Sequence, residues 1–567
     1  MNSAKSKNHL LTVLVEDYFH VGAFGNLIQQ RNWERFEPRY ERNTLKALDL
    51  LDQFKTKATF FVLGWIADQN PKLIREIVSR GHEVASRGFY HRSLKNLTTE
   101  EFREDLRKTN RALESASGQK IIGYRAAEKL HYENDSRIFD VLADENFVYD
   151  ASFLPVLGDK KSKRFAHQIH SDGRAVWEFP YATRNVGVGL LPISGGNYFR
   201  QIPYTIMRSA VRDWTQRYDS PFVFYFHVWE LDPEQPRISA ASHYNRIRHY
   251  RKLDKMEWII KEALSLYNFT SAANYLGLKD ELRIANYESQ PEKISSAIQT
   301  QDSSLTTPIS VVIPCYNEEP TLPYLANTLR GLEKDFSANN YQANFIFVDD
   351  KSKDGTFAKL QELFGTRANV EIVRHETNQG VAGAILTGLR AAKTEIVCSM
   401  DCDCTYDPHE LINMLPLLSE EVDMVTASPY HEKGGVRNVP EWRLFLSKGA
   451  SFLYRRVLRS KLKTYTSCFR VYRRDAMLDL NIDEKGFLGV AELLGKLDLS
   501  GGNIVEYPAV LEVRLFGFSK MKTARTIFGH LKLLSRLLKL RLKSRNTISD
   551  SKQIQPIAEN SVKYPVE

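Results

Sequence analysis

The sequence predicts an α/β protein of two domains, on three observations. Residues 9–278 alternate short apolar strands with amphipathic helices. A polar stretch without periodicity, 279–307, follows and reads as a linker. At Ile309 the alternation restarts and runs to about Lys522. A chain of 567 residues is also too long for one core.

The first elements are legible from local rules. Leu10–Asp17 is a buried strand, Thr44–Phe54 a helix and Ala58–Gly64 a second strand. Pro71–Gly81 is a helix with proline at its start and glycine at its end.

The second domain carries four patterns in a fixed order. Ser310–Glu319 is a strand that stops at Pro314 and opens into a polar loop of Tyr316, Asn317 and Glu318. Phe347–Thr356 is a strand ending in the carboxylates Asp349 and Asp350. Open α/β sheets bind ligands at such carboxyl ends, where these groups can accept hydrogen bonds from a base and a ribose. In Asn378–Gly388 the small residues, among them Gly380 and Gly383, let a helix start approach a diphosphate. Val397–Pro408 ends a strand in Asp401-x-Asp403. Carboxylates at i and i+2 of an extended segment point the same way, so both can address one Mg²⁺ or Mn²⁺. Such an ion bridges a diphosphate and stabilises its departure.

After this domain, 523–545 reads as a basic amphipathic helix. Ile527, Leu531, Leu534 and Leu538 share one face, and Lys532, Arg536, Lys539 and Lys543 lie largely on the other. A helix of this kind suits the headgroup region of an anionic membrane. The tail, 546–567, is polar and expected to be disordered.

Composition narrows the function. A formal charge of +9 is modest for the length, and no basic-aromatic repeat marks a nucleic-acid groove, so no nucleic-acid partner is expected. The five cysteines all lie in the second half without a histidine cluster and read as free thiols rather than a zinc site. The N-terminus meets acidic residues too early for a secretory signal, and no apolar run reaches the roughly 18 residues of a membrane span. The expected location is cytoplasmic, peripheral on the inner face of the cytoplasmic membrane.

The four patterns together resemble the family 2 glycosyltransferases, within them the dolichyl- or polyprenyl-phosphate mannosyltransferase-like branch, over residues 308–522. The resemblance continues in Thr466–Arg470, with Cys468 where the family has glycine, in Gly486–Glu492, and in the basic loop Arg514–Lys520. Ser428-Pro-Tyr430 stands where the family shows Ser-Arg-Tyr, with Arg437 or Arg443 as the candidate replacement cation. The resemblance implies a GT-A (Rossmann-like) fold and an inverting, metal-dependent transfer from a nucleotide-sugar to a polyprenyl-phosphate or glycan acceptor. It implies catalytic roles for Asp401, Asp403, Glu492 and Lys520, with Mg²⁺ or Mn²⁺ on the two aspartates. The donor site it implies comprises Pro314, Tyr316, Asn317, Glu318, Asp349, Asp350, Asn378, Gly380, Gly383, Arg470 and Arg514. Glu492 acts as base only if the acceptor is a hydroxyl.

The first half resembles polysaccharide deacetylases of the exopolysaccharide-locus type, over about residues 9–270. Leu11–His20, Ala58–Gly64, Gly81–His91, Gly123–Arg125, Tyr149–Ser152 and Phe224–Glu230 carry the likeness, which implies a distorted (β/α) barrel. Those enzymes hold a divalent metal with one carboxylate and two histidines, and use an aspartate base. Here Leu14 stands at the base, Arg87 at the first histidine and Ala127 at a proline, while Glu16, Asp17, His91, Arg125 and His227 remain. A guanidinium stays protonated and repels a dication. Arg87 is expected to pair instead with Glu16 or Asp17, and no metal is expected in this domain. The leading expectation is a glycosyltransferase of envelope or exopolysaccharide assembly with an inactive deacetylase-like domain of residues 9–278. The alternatives are a bifunctional enzyme and a non-catalytic glycan-binding scaffold.

Overall fold

The computed structural model describes residues 7–158, 163–171, 173–284, 306–484, 486–517 and 523–548. The chain divides into two compact units, Met1–Thr300 and Gln301–Glu567. The linker expected at 279–307 and the tail expected at 546–567 lie largely outside the described residues.

In unit 1 the strands are β1 (Asn8–Val15), β2 (Thr59–Val62), β3 (Glu83–Ser86), β4 (Gly123–Tyr124), β5 (Tyr149–Asp150), β6 (His167–Ser171), β7 (Arg174–Glu178), β8 (Thr183–Asn185), β9 (Leu190–Pro192), β10 (Val223–His227) and β11 (Asn268–Thr270). Nine of them form one sheet in the order β10-β1-β2-β3-β4-β5-β7-β6, with β11 beside β1. All its pairings are parallel except β6 with β7. Among the described residues β6 does not pair with β10, so the curved sheet stays open at one seam, as in a distorted barrel.

The two-residue period of β1 sorts its side chains. Leu11, Val13 and Val15 join the outer core under the helices. Leu10 and Leu14 join an inner core with Phe61, Ala85, Tyr149, Tyr181 and Tyr225. The predicted helices appear at Tyr40–Gln53 and Pro71–Ser79, the second capped by the Asn70 side chain on Leu73 N. Helix Thr99–Ser117 opens with a Thr98–Glu101 capping box and ends at Gly118 in the left-handed region.

Unit 2 contains β12 (Thr307–Cys315), β13 (Tyr341–Asp349), β14 (Val370–Arg374), β15 (Ile396–Ser399), β16 (Met424–Ser428), β17 (Gly435–Arg437), β18 (Arg470–Arg473), β19 (Ile504–Pro508) and β20 (Val510–Glu512). Its main sheet runs β14-β13-β12-β15-β18-β16-β19, parallel except for β18, which is antiparallel to both neighbours. Cores lie on both faces of this sheet. Strand β17 pairs in parallel with β20, separate from the main sheet. Register sets Cys315 beside Asp349, so the polar loops after β12 and β13 open at one edge.

Within Asn378–Gly388, Gly388 serves packing. A Cβ on Gly388 would lie 2.2 Å from Val312 Cγ1, so helix Gly380–Ala391 rides directly on β12. The C-terminal helix spans Thr523–Ile548 and sets Leu533, Leu534 and Leu537 into the unit's own core. No helix among the described residues is long and apolar enough to cross a membrane.

Candidate active site

In unit 2 the candidate site lies beyond the carboxyl ends of β12, β13 and β15. Asp401 and Asp403 follow β15 directly. Loss of surrounding water, then the charge of Asp403, pushes the Asp401 carboxyl up to about 7. The Cys468 thiol bonds to Asp401, and burial holds that thiol protonated. This contact was invisible in the sequence, where Cys468 is 67 positions away. Asp403 Oδ1 accepts from Thr405 N at 3.1 Å. Its other oxygen accepts from Arg514 Nε at 2.6 Å, and Arg514 Nη2 reaches Glu318 Oε1 at 2.9 Å. Arg514 thus joins the loop after β20 to two acidic loops, and burial, outweighed by Asp403 and Glu318, leaves its pKa raised.

The polar loops are cross-braced. Asn317 has φ +52°, a left-handed backbone that asparagine tolerates. Its side chain accepts from Lys353 N at 2.7 Å, and its own N–H donates to Ser352 Oγ at 2.9 Å. Glu318 N donates to Thr356 Oγ1 at 2.7 Å. Pro314 is the penultimate residue of β12, and Tyr316 stands half-buried behind it.

Several candidates are committed inside the fold. Asp349 is fully buried and pairs with Arg374 Nε at 3.0 Å. Asp350 accepts from Gln379 N at 2.6 Å and Gly380 N at 2.7 Å, and its backbone carbonyl accepts from Asn378 Nδ2 at 2.9 Å. The helix start expected to face a diphosphate is therefore capped by a carboxylate of the same unit, with His375 Nδ1 2.8 Å from it. Gly383 faces the core under that helix. The buried Arg470 guanidinium donates to the carbonyls of Val490 and Tyr465 at 2.9 and 3.0 Å, so it braces the helix carrying Glu492 rather than facing the loops. Glu492 accepts from Asp483 N and Glu484 N at 3.1 and 2.8 Å and pairs with Lys496 at 2.9 Å. Lys520 lies outside the described residues. Arg437 approaches Glu512 at 3.4 Å, and Arg443 lies over the Trp442 ring.

Among the described residues no group of three or more His, Cys, Asp or Glu is placed to hold a metal by itself. Asp401 and Asp403 supply two hard oxygen donors, which fit Mg²⁺ or Mn²⁺ once a diphosphate completes the shell.

In unit 1 the expected ion pair forms with Glu16. Arg87 Nε lies 3.1 Å from Glu16 Oε2, and His91 Nε2 lies 3.0 Å from the same oxygen. His227 Nδ1 contacts Oε1. Burial pushes Glu16 up, but Arg87, then His227 and His91, outweigh it and hold the carboxyl well below its ordinary range. Arg87 also donates to the Ala126 carbonyl at 2.5 Å and approaches that of Ala127 at 3.5 Å.

Asp17 is not available to Arg87. Its carboxylate accepts from Tyr18 N and Tyr40 N, each at 2.8 Å, and from Arg39 N at 2.5 Å. Leu14 sits in the inner core, and Arg125 stacks over Tyr225 at 4.2 Å with its Nε lacking a hydrogen-bond partner. Asp150 and Glu178 face each other across β5 and β7, joined by a side-chain hydrogen bond, and burial pushes both carboxyls up.

Residues 310–480 match the family described as glycosyl transferase family 2, residues 33–140 that described as polysaccharide deacetylase, and residues 151–277 a domain of unknown function. The dolichol-phosphate mannosyltransferase of Pyrococcus furiosus is 31% identical over 237 residues, covering 41% of this chain and 64% of that protein. The chain therefore spans slightly less than two thirds of this relative's length. The polyprenol monophosphomannose synthase of Mycolicibacterium smegmatis is 33% identical over 219 residues, covering 37% of this chain and 80% of that protein. Among solved structures, a mannosyltransferase from Pyrobaculum calidifontis in complex with GDP-Man and Mn²⁺ shares 15% identity over 44% of this chain and 77% of its own, at a TM-score of 0.27. A family 4 carbohydrate esterase from Streptomyces lividans in complex with acetate shares 15% over 47% and 93%, at 0.26. The chain belongs to the family 2 glycosyl transferases, joined at its N-terminal side to a polysaccharide deacetylase-like domain.

Proposed function

We propose that unit 2 transfers a sugar from a nucleotide-sugar to a polyprenyl phosphate, with inversion, and that unit 1 no longer hydrolyses acetyl groups. The observation that carries the transferase reading is the Asp401–Asp403 pair at the β15 end, joined through Arg514 to Glu318. In a single in-line displacement the acceptor phosphate oxygen forms a bond to the anomeric carbon as the bond from that carbon to the diphosphate breaks, and the electron pair leaves with the nucleoside diphosphate. Asp401 and Asp403 would hold Mg²⁺ or Mn²⁺, which neutralises the departing diphosphate when bound. Arg514 would pass from Asp403 to a phosphate of the donor.

A phosphate acceptor is already anionic and needs no base, which agrees with Glu492 being engaged by two amides and Lys496. Both curated relatives are named for mannosyl transfer, so a nucleoside diphosphate mannose is the first donor to test. The protein acts at the inner face of the cytoplasmic membrane, in envelope or exopolysaccharide assembly.

Asp403→Asn tests the transferase reading. The folded variant should lose at least a hundredfold in transfer to a polyprenyl phosphate supplied with Mn²⁺ or Mg²⁺. Undiminished transfer would refute the assignment.

A further inference from the structure

Helix Glu441–Val457 is apolar on the side that faces away from its own unit. Ser451 and Tyr454 are buried on its inner side, together with Leu458 just beyond its end. On the opposite side stand Trp442, Phe445 and Phe452, which are 51%, 78% and 54% exposed, with Leu453 beside them. The spacing of 442, 445, 449, 452 and 456 follows one stripe of an α-helix, with Gly449 in its middle.

The C-terminal helix packs against this one. Tyr454 Oη lies 2.9 Å from His530 Nδ1, and Arg541 donates to the Val457 carbonyl at 2.7 Å. It too turns apolar side chains outward, among them Ile527, Phe528, Leu531 and Leu538. After Glu441 neither helix contains an aspartate or glutamate, while Arg443, Lys448, Arg455, Arg456, Lys532 and Lys539 are interspersed with the apolar residues. Arg456 covers the Phe452 ring at 4.5 Å.

We infer that the outer faces of helices Glu441–Val457 and Thr523–Ile548 form one docking surface for an anionic bilayer, with Trp442, Phe445 and Phe452 entering the headgroup–acyl boundary. The charge of the surface selects this occupant: cations set among aromatic side chains, with Glu441 at the helix start as the one carboxylate of the two described helices, match anionic headgroups over acyl chains. The surface also adjoins the site through the chain. Trp442 follows β17 by five residues, β17 pairs with β20, and Arg514 is the second residue beyond β20. A lipid phosphate held in that bilayer would meet Arg514 from this side. The inference rests on the membrane reading above and extends it to a helix outside the basic C-terminal segment.

The test uses the full chain and vesicles of phosphatidylcholine with and without phosphatidylglycerol. The unaltered protein should sediment with the anionic vesicles and be released by salt. Phe445→Ser with Phe452→Ser should weaken binding on the order of tenfold or more, with metal-dependent hydrolysis of the nucleotide-sugar unchanged. Phe445→Trp should shift its emission to the blue on the same vesicles. Binding unaffected by the double substitution, while Leu531→Asp with Leu538→Asp abolishes it, overturns this inference and leaves the membrane reading standing. No vesicle binding by the unaltered protein removes both. A full chain that is dimeric, and becomes monomeric on the Phe445 and Phe452 substitutions without binding vesicles, makes the stripe a self-association face and also overturns it.

Discussion

Arg87→Met tests the buried ion pair on which the inactive reading of unit 1 rests. The guanidinium is buried beside a fully buried Glu16 carboxylate, and its other donors reach the carbonyls of Ala126 and Ala127. Methionine preserves most of the volume but leaves Glu16 with only His91 and His227 as partners. Breaking one side of a buried ion pair costs about 3–5 kcal/mol. For a unit of this size each kcal/mol lowers Tm by roughly 2–4 °C, so a fall of about 6–20 °C is expected. Glu16→Gln in the same background removes the stranded charge and should recover part of the loss, giving a coupling energy of about 2 kcal/mol or more. Six of the seven tryptophans lie between residues 33 and 258, so denaturation followed by tryptophan emission reports on this unit. An Arg87→Met protein within about 1 kcal/mol of the parent, or strictly additive substitutions, would refute the claim that this pair holds the cluster together.

Two further outcomes follow from unit 1. Leu14→Asp together with Arg87→His should let the full chain carry one additional Zn²⁺ or Co²⁺ through gel filtration, whereas the parent protein should release no acetate from N-acetylated oligosaccharides with either metal; acetate release by the parent would restore the bifunctional reading. Neutral His9 and His82 should also contribute stability to unit 1 that is lost on acidification, because burial, aided by Lys7 and Lys57 respectively, lowers their pKa to about 4. These groups fold neutral and unfold with an ordinary value near 6.5, so their contribution is complete above pH 6.5 and is lost as pH falls from there through 4, at about 3 kcal/mol each. Urea titrations at pH 7.5 and 5 of the parent and of a His9→Gln, His82→Gln variant measure it, and the same midpoint change with pH in both proteins would refute the assignment.

The sequence was most informative where a rule acts over a few residues. The alternation in β1, the Asn70–Pro71 helix start and the Asp401-x-Asp403 strand end are all local, and all could be read from composition and spacing. It was least informative where a side chain is claimed by a distant backbone. Asp17 looked as open to Arg87 as Glu16 did, yet it binds the amides of Arg39 and Tyr40, 22 and 23 positions on. Asp350, expected in the donor site, also caps a helix that begins 30 residues later, a contact no local pattern announces. Glycines in Asn378–Gly388 signalled close approach correctly, but Gly388 approaches β12, which no local pattern distinguishes from a phosphate. Arg470 was expected in the donor site and Glu492 in a catalytic role, and only tertiary packing reveals the carbonyls and amides that engage them.

Each unit sets an arginine against a carboxylate that a divalent cation would otherwise seek, but the two tethers differ. Arg87 follows β3 directly and is clamped by carbonyls, so displacing it means breaking those bonds as well as the ion pair. Arg514 hangs from a loop just beyond the two-strand ribbon of β17 and β20, held chiefly by the acids it neutralises. It acts as an internal competitor. Any ion that binds Asp403 must first be repaid the energy of that pair, so its apparent dissociation constant rises tenfold for every 1.4 kcal/mol the pair is worth. A phosphate that gives Arg514 a new partner lifts the penalty. Donor and ion would then bind with positive cooperativity, and the acidic loops would hold little metal in the absence of a nucleotide.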